Sequence, residues 1–336
     1  MEDPFTPAVR AAMLADPIVA VQRDDFVHAV TEANLIDCRL YHTVTAHPGA
    51  APAALPARGL GRPSQVRLAA EGGFNQQSAA YAGALAVWTA ANPDGEAAGE
   101  PDAPNPDMIC THGRRSPLDN PALVSFTEGW ARTQVALSFV NDGELNERAG
   151  TFRHLMVTYP SATTLGGKSF GARSATRGSI YSPANKLVMF TYPLVRGLDE
   201  RYEELLALQA DVDVLFIAGD ADALCHEMHL RAIRQRMRAR TWWLRMVKAD
   251  HALWYEPDEK RHALCNIAGQ IAAMWNVVRD PALSELTLDW DGGANEPKWT
   301  TWVAPTVDLP KPATTFNVNI LNPGLPGGGG TITFTM

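Results

Sequence analysis

Ser169, Asp222 and His251 have the residue types, and the order along the chain, that nucleophilic acyl transfer requires. Ser169 is the centre of a Gly-x-Ser-x-Gly motif at 167–171, a pattern that indicates a sharp turn between a strand and a helix. A serine hydroxyl is a poor nucleophile until a neutral imidazole takes its proton, and a carboxylate orients that imidazole. We therefore predict a triad in which Ser169 attacks, His251 transfers the proton and Asp222 orients the histidine.

The acid and the base of this triad each follow an apolar run that is typical of a buried strand. The run at 212–219 ends just before Asp220 and Asp222, and the run at 241–247 ends just before the loop that contains His251. Parallel sheets collect their functional groups at the carboxyl ends of the strands, so these residues are expected to meet there. We prefer Asp222 as the acid because it lies further into its loop. Asp220 remains the alternative, and its other interpretation is a cap of the next helix.

Donors for a negatively charged oxygen are also predicted. The apolar run from residue 108 is typical of a strand, and it ends in His112-Gly113. The backbone N–H of Phe170, which follows the nucleophile, is the first expected donor, and the N–H of Gly113 or Arg114 is the second.

Side chains around these groups are candidate contacts for a substrate. The pair Arg114 and Arg115 leaves two interpretations open, an anionic substrate or a solvated surface. His112 is favoured as a residue that holds its loop rather than as a catalytic one. The predicted substrate-binding residues are His112, Arg115, Lys168 and Tyr192.

The quoted motifs resemble the α/β-hydrolase domain related to dienelactone hydrolases, and most closely the hydrolase-like domain of the NSL histone-acetyltransferase complex subunit. Phe170, Ala172 and Arg115 stand where that group often has methionine, glycine and a small residue. The resemblance covers about half of the chain and implies a serine-hydrolase scaffold without specifying a substrate; some members of the group serve as interaction domains. The segments that carry it are 111–113, 166–173, Tyr192-Pro193-Leu194, 219–222 and 250–253.

Strands and helices alternate through the centre of the chain, which predicts an α/β fold: a mostly parallel central sheet with helices on both faces. We expect this α/β-hydrolase core to span residues 107–280. Residues 1–106 are predicted to hold early strands, at 35–45 and 65–70, a helix at 78–91, for which a core strand around 85–89 is the alternative, and a flexible linker. Residues 281–336 are predicted to form a small β-rich C-terminal extension.

The composition limits the class of protein. The 336 residues are 46% hydrophobic, enough for a full core, and the net charge of −8 without a basic stripe argues against nucleic acid as a partner. The first residues do not resemble a signal peptide and no apolar run approaches 18 residues, so neither secretion by a cleaved signal nor a membrane span is expected. Four scattered cysteines suggest a reducing, intracellular location, cytoplasmic or nuclear.

No cofactor or metal is predicted. His226 and His229 would share one helix face, but no third ligand follows at a convincing spacing, and an ordinary amphipathic helix is favoured. The predicted function is therefore a serine hydrolase that acts on an ester, thioester or related small acyl substrate through an acyl-enzyme. The alternative is a non-catalytic hydrolase-fold module that binds a protein partner, or a second copy of itself, through the C-terminal extension.

Overall fold

The computed structural model describes residues 4–15, 20–31, 34–44, 105–114, 118–180, 182–306, 315–321 and 329–335. The strand predicted at 65–70 and the helix predicted at 78–91 lie outside these residues. So does Arg115.

The strands and helices are numbered here in chain order within the described residues. The strands are β1 (Ala20–Thr31), β2 (Asn34–Val44), β3 (Met108–Thr111), β4 (Ala136–Phe139), β5 (Thr164–Lys168), β6 (Lys186–Phe190), β7 (Val195–Arg196), β8 (Asp199–Glu200), β9 (Asp213–Gly219), β10 (Arg240–Met246), β11 (Glu285–Asp291), β12 (Glu296–Trp299), β13 (Thr315–Leu321) and β14 (Gly329–Thr335). The helices are α1 (Pro7–Leu14), α2 (Pro121–Trp130), α3 (Leu145–Thr158), α4 (Phe170–Ser179), α5 (Glu203–Leu206), α6 (Glu227–Arg236) and α7 (Asp258–Val277).

Ten strands form one sheet in the order β1-β2-β4-β3-β5-β6-β9-β10-β11-β12. The pairs from β4 to β11 are parallel, and the antiparallel pairs lie at the two edges, where β1 and β2 precede β4 and β12 follows β11. The strands β7 and β8 form a separate small hairpin, and β13 and β14 form another. The predicted mostly parallel sheet is therefore confirmed.

Alternate residues of the central strands face opposite sides of the sheet, and each side is covered by its own helices. On β6, Val188 and Phe190 pack in the cluster that includes residues of α1, α2 and α7. Leu187 and Met189 pack in the cluster that includes residues of α3, α4 and α6. This arrangement explains why the strands are nearly continuous apolar runs rather than alternating ones. The prediction of helices on both faces is confirmed.

The first part of the predicted C-terminal extension belongs to the main sheet. Strand β11 pairs in parallel with β10, and its side chains Leu286 and Leu288 are in the core. Trp299 at the end of β12 is 7% exposed and packs edge-on against Phe5, with ring centroids 6.2 Å apart. The predicted division at residue 280 is therefore not a packing boundary, because the next two strands bury their apolar residues in the same core.

Two further differences from the sequence concern local structure. The alternation of strands and helices also predicts a helix over 199–209, but the helix begins only at Glu203, because the chain first turns back through the β7–β8 hairpin, with Gly197 at a φ of 62°. The strand β1 and the helix α1 carry no signal that we recognised in the sequence. In the described part of the chain, no helix has both the length and the apolar character needed to cross a membrane.

Candidate active site

Ser169 occupies a strained turn between β5 and α4. Its backbone has φ 54° and ψ −112°, a conformation that L-residues rarely adopt, and its N–H donates to the carbonyl oxygen of Phe190 at 2.9 Å. The flanking glycines make the turn possible. A Cβ on Gly167 would lie 2.5 Å from the carbonyl carbon of Gly171, inside the first turn of α4. The Gly-x-Ser-x-Gly motif therefore forms the predicted strand-turn-helix elbow.

The three candidate triad side chains form one hydrogen-bonded chain. The Oγ of Ser169 lies 2.8 Å from Nε2 of His251, and Nδ1 of His251 lies 2.9 Å from Oδ2 of Asp222. The Asp222 side chain is fully buried, whereas the imidazole is 25% exposed. An ionised carboxylate only accepts hydrogen bonds, so Asp222 favours the tautomer with its proton on Nδ1. That tautomer leaves Nε2 free to accept the proton of the serine.

Backbone contacts hold the carboxylate in place. The Oδ1 of Asp222 accepts the N–H groups of Leu224 at 2.8 Å and of Cys225 at 3.2 Å. Gly219, at the end of β9, lets this loop approach the loop before His251, because a Cβ there would lie 1.9 Å from the carbonyl oxygen of Ala249. The close approach of the two strand ends is what brings the acid to the histidine.

Asp220 has other partners. Its Oδ2 accepts from the guanidinium of Arg245 at 3.0 Å, and its Oδ1 accepts the backbone N–H of Lys248 at 2.6 Å. Lys248 has a φ of 61°, so this hydrogen bond braces a left-handed turn shortly before His251. The structure thus brings Asp222, and not Asp220, to the imidazole.

The loop after β3 lies against the start of α4. A Cβ on Gly171 would lie 2.5 Å from the carbonyl oxygen of Thr111 and 2.6 Å from that of His112. Phe170 is the first residue of α4, and the first N–H groups of a helix have no acceptor within the helix. Both segments predicted to supply oxyanion donors, Gly113–Arg114 and Phe170, therefore lie next to one another.

Arg148 on α3 is a residue of this site that the sequence did not reveal. Its side chain is 1% exposed, and it donates to the carbonyl oxygens of His112 at 3.0 Å, Gly113 at 3.4 Å and Gly143 at 3.1 Å. Its Cζ lies 4.9 Å from the centre of the Phe170 ring. Burial lowers the pKa of its guanidinium. An arginine among the buried positions of an amphipathic helix was the available signal.

Three of the predicted substrate contacts are directed to the protein backbone. His112 is fully buried, with Nδ1 2.6 Å from the carbonyl oxygen of Gly113, and burial, reinforced by Arg148, lowers its pKa to about 4. Lys168 is 7% exposed and donates from Nζ to the carbonyl oxygen of His251 at 3.2 Å; burial lowers its pKa. Tyr192 is fully buried.

The hydroxyl of Tyr192 donates to the carbonyl oxygen of Arg201 at 2.8 Å, and burial raises its pKa. Tyr192 therefore joins the β6 end to the chain after the β7–β8 hairpin. Arg114 is half exposed, pairs with Glu144 at 3.2 Å, and lies 5.4 Å from the Phe170 ring.

The two histidines considered for metal binding have ordinary contacts. Their rings lie 6.0 Å apart, and His226 caps helix α6 by accepting the N–H of Met228. In the described ranges of the chain, no group of three or more His, Cys, Asp or Glu side chains is arranged to hold a metal ion. The cysteines Cys38, Cys110, Cys225 and Cys265 are free and buried.

Comparison with known proteins gives one family match. The alpha/beta hydrolase domain family matches residues 108–278. Similar solved structures include an esterase domain from a Rhodothermus marinus protein, with 10% identity over 76% of this chain and 97% of that chain and a TM-score of 0.44. An α/β serine hydrolase without lid from Xanthomonas campestris has 12% identity over 80% and 99% of the two chains and a TM-score of 0.42. Est1E from Butyrivibrio proteoclasticus has 12% identity over 53% and 92% and a TM-score of 0.41. No curated protein sequence matches the chain.

Proposed function

The chain belongs to the alpha/beta hydrolase domain family, and on this premise we propose that it is a serine hydrolase with Ser169 as its nucleophile. Its fold is the α/β-hydrolase fold, with a mostly parallel sheet, helices around it and strands at the C-terminus. The proposed substrate is an ester, a thioester or a related small acyl compound.

In the proposed mechanism, Ser169 Oγ attacks the acyl carbonyl while Nε2 of His251 takes the hydroxyl proton. The carbonyl oxygen becomes an oxyanion that accepts hydrogen bonds from the N–H of Phe170 and from the N–H of Gly113 or Arg114. When the tetrahedral intermediate collapses, the imidazolium gives its proton to the leaving group, and an acyl-enzyme remains. Water then attacks the acyl-enzyme, with the imidazole as its base, and releases the acid and the free serine.

One observation carries this proposal: the hydrogen-bonded chain from Ser169 Oγ to His251 Nε2 at 2.8 Å and from His251 Nδ1 to Asp222 Oδ2 at 2.9 Å. The strained backbone of Ser169 adds support, because strain of this kind costs about 1–3 kcal/mol and is found mainly at functional sites. A serine with only a structural role would not require a strained turn beside an imidazole.

Labelling with a fluorophosphonate tests the proposal. The probe reacts with activated serines, and we expect mass spectrometry to locate it on Ser169 of the wild type. Ser169→Ala and His251→Ala should abolish labelling. Ser182→Ala, in a turn after α4 where the hydroxyl bonds only to neighbouring residues, is the matched control and should be labelled like the wild type. A folded wild-type protein that stays unlabelled would count against the hydrolase proposal.

A second proposed function, a non-catalytic module that binds a protein partner or another copy of itself, would then take its place. It is supported by three exposed valines, Val277, Val278 and Val303, with exposures of 70%, 54% and 45%, at the end of α7 and after β12.

The finer relationship to the NSL-complex subunit also remains a proposal, supported by the Gly-Gly-Lys-Ser elbow. An intracellular location is proposed on the free, buried cysteines.

A further inference from the structure

We propose that Arg148 is the positioning residue of the oxyanion site: its guanidinium orients the peptide groups that carry the candidate donors at Gly113 and Arg114 and packs against the residue that carries the third, Phe170. This inference rests on the proposed hydrolase function. It concerns a helix residue whose hydrogen bonds go to the backbone of His112, Gly113 and Gly143 rather than to the triad.

The surroundings of Arg148 indicate a positioning role. An arginine that is 1% exposed normally has a close carboxylate partner, yet its ion-pair partner Asp142 is 4.0 Å away and 79% exposed. The short contacts of the guanidinium are instead backbone carbonyl oxygens, two of them in the loop after β3. Burying this charge is unfavourable, as its lowered pKa indicates, and the contacts that offset the cost are those that hold the loop.

Because of the geometry of the peptide group, the contacts of Arg148 with two carbonyl oxygens also orient the N–H groups of Gly113 and Arg114. The carbonyl of His112 and the N–H of Gly113 belong to one peptide group, and the carbonyl of Gly113 and the N–H of Arg114 belong to the next. In a planar trans peptide the C=O and N–H bonds point in opposite directions. Because Arg148 binds both carbonyl oxygens, at 3.0 and 3.4 Å, it directs both N–H groups away from itself.

The second carbonyl is held from two sides. Nδ1 of His112 lies 2.6 Å from the Gly113 oxygen that Arg148 also binds. A carbonyl oxygen only accepts, so this short contact requires the ring proton of His112 to be on Nδ1, which donates it to that oxygen. Rotation of this peptide group would break both hydrogen bonds in a buried setting, where an unmatched donor is costly.

The same guanidinium also contacts the other donor segment. Its Cζ lies 4.9 Å from the centre of the Phe170 ring, within the range of a cation–π contact. Arg114 approaches the ring at 5.4 Å. The bulky Phe170, which departs from the methionine of the resembled group, thereby links the start of α4 to the loop after β3. Arg148 thus connects the two segments whose separation determines whether an oxyanion fits between their N–H groups.

The test uses Arg148→Lys, which keeps the positive charge but lacks the planar fork that reaches several carbonyls at once. We expect the second-order rate of fluorophosphonate labelling at Ser169, and kcat for 4-nitrophenyl acetate, to fall about 100-fold with KM changed less than about threefold, as for loss of one oxyanion donor. Added guanidinium should restore part of the rate in Arg148→Ala. Arg148→Met, which fills the space without a buried charge, carries the same expectation if the lysine variant does not fold.

Arg234→Lys is the matched control, because Arg234 is also fully buried and bonds to Thr241, Ser284 and Glu285 away from the triad. It should lose stability without a change in kcat. A folded Arg148 variant labelled at the wild-type rate would overturn the inference while leaving the hydrolase proposal intact. A loss of kcat in Arg234→Lys equal to that in Arg148→Lys would also overturn it. A wild-type protein that is not labelled overturns both proposals.

Discussion

Replacing Asp222 with asparagine should nearly abolish activity without unfolding the protein. The carboxylate is fully buried, and its Oδ1 accepts two backbone N–H groups, at 2.8 and 3.2 Å. Both oxygens face Nδ1 of His251, with Oδ2 nearer, at 2.9 Å, than Oδ1, at 3.1 Å. An asparagine oxygen can keep both backbone hydrogen bonds. Its NH₂ group then takes the position of Oδ2, the oxygen nearer to Nδ1 of the imidazole.

This exchange selects the wrong imidazole tautomer. An amide NH₂ donates, so Nδ1 of His251 must accept and the ring proton moves to Nε2. Nε2, which lies 2.8 Å from Ser169 Oγ, then can no longer take the serine proton. In a serine hydrolase with this triad, the same change lowers kcat about 10⁴-fold, which corresponds to about 5 kcal/mol in the activation free energy.

The assay is kcat for 4-nitrophenyl acetate together with the rate of fluorophosphonate labelling at pH 7. Asp220→Asn is the matched control, two residues away in the same loop. Its carboxylate binds Arg245 and the N–H of Lys248, so its loss should lower kcat less than about tenfold, through a looser loop. The reasoning fails if Asp222→Asn keeps more than a tenth of the wild-type kcat, or if Asp220→Asn loses as much.

Three further predictions concern residues around the elbow. Gly171→Ala places a Cβ 2.5 Å from a backbone carbonyl oxygen and should lower the free energy of unfolding, measured by thermal denaturation, by about 1–3 kcal/mol. Gly150→Ala in helix α3, where the nearest atom to the added Cβ is 3.8 Å away, should raise it by about 0.5–1 kcal/mol. Equal effects of the two substitutions would contradict this prediction. Lys168→Met removes a donor to the histidine carbonyl and should lower kcat about tenfold, while Lys186→Met, at the opposite end of the neighbouring strand, should leave kcat unchanged. Burial lowers the pKa of His112 from 6.5 to about 4, so the unfolded chain takes up a proton at this residue before the folded protein does as the pH falls. The free energy of unfolding, measured by urea denaturation, should therefore fall by about 2 kcal/mol between pH 7 and 4.5. His112→Asn should lack this fall.

Much of the architecture follows from local sequence. Apolar runs too continuous for a half-exposed strand predict buried parallel strands, and the helices between them predict layers on both faces. The elbow is predictable for a similar reason, since a serine between two glycines suits a turn whose neighbours leave no room for a Cβ. Local sequence is less informative where local pattern and tertiary pairing differ. Strands β11 and β12 look like a separate appendage in sequence, but hydrogen bonding to β10 makes them part of the core.

The sequence by itself determined the residue types at the candidate site, their order, and their location at strand ends. It left Asp220 and Asp222 as alternatives, because two carboxylates in one loop differ only in the directions that their side chains take. The tertiary structure places Asp222 rather than Asp220 beside His251, because the two loops approach each other closely at Gly219. It alone assigned Arg148 to the site, because the guanidinium binds carbonyl oxygens about 35 residues earlier in the chain, and backbone carbonyls carry no sequence signature.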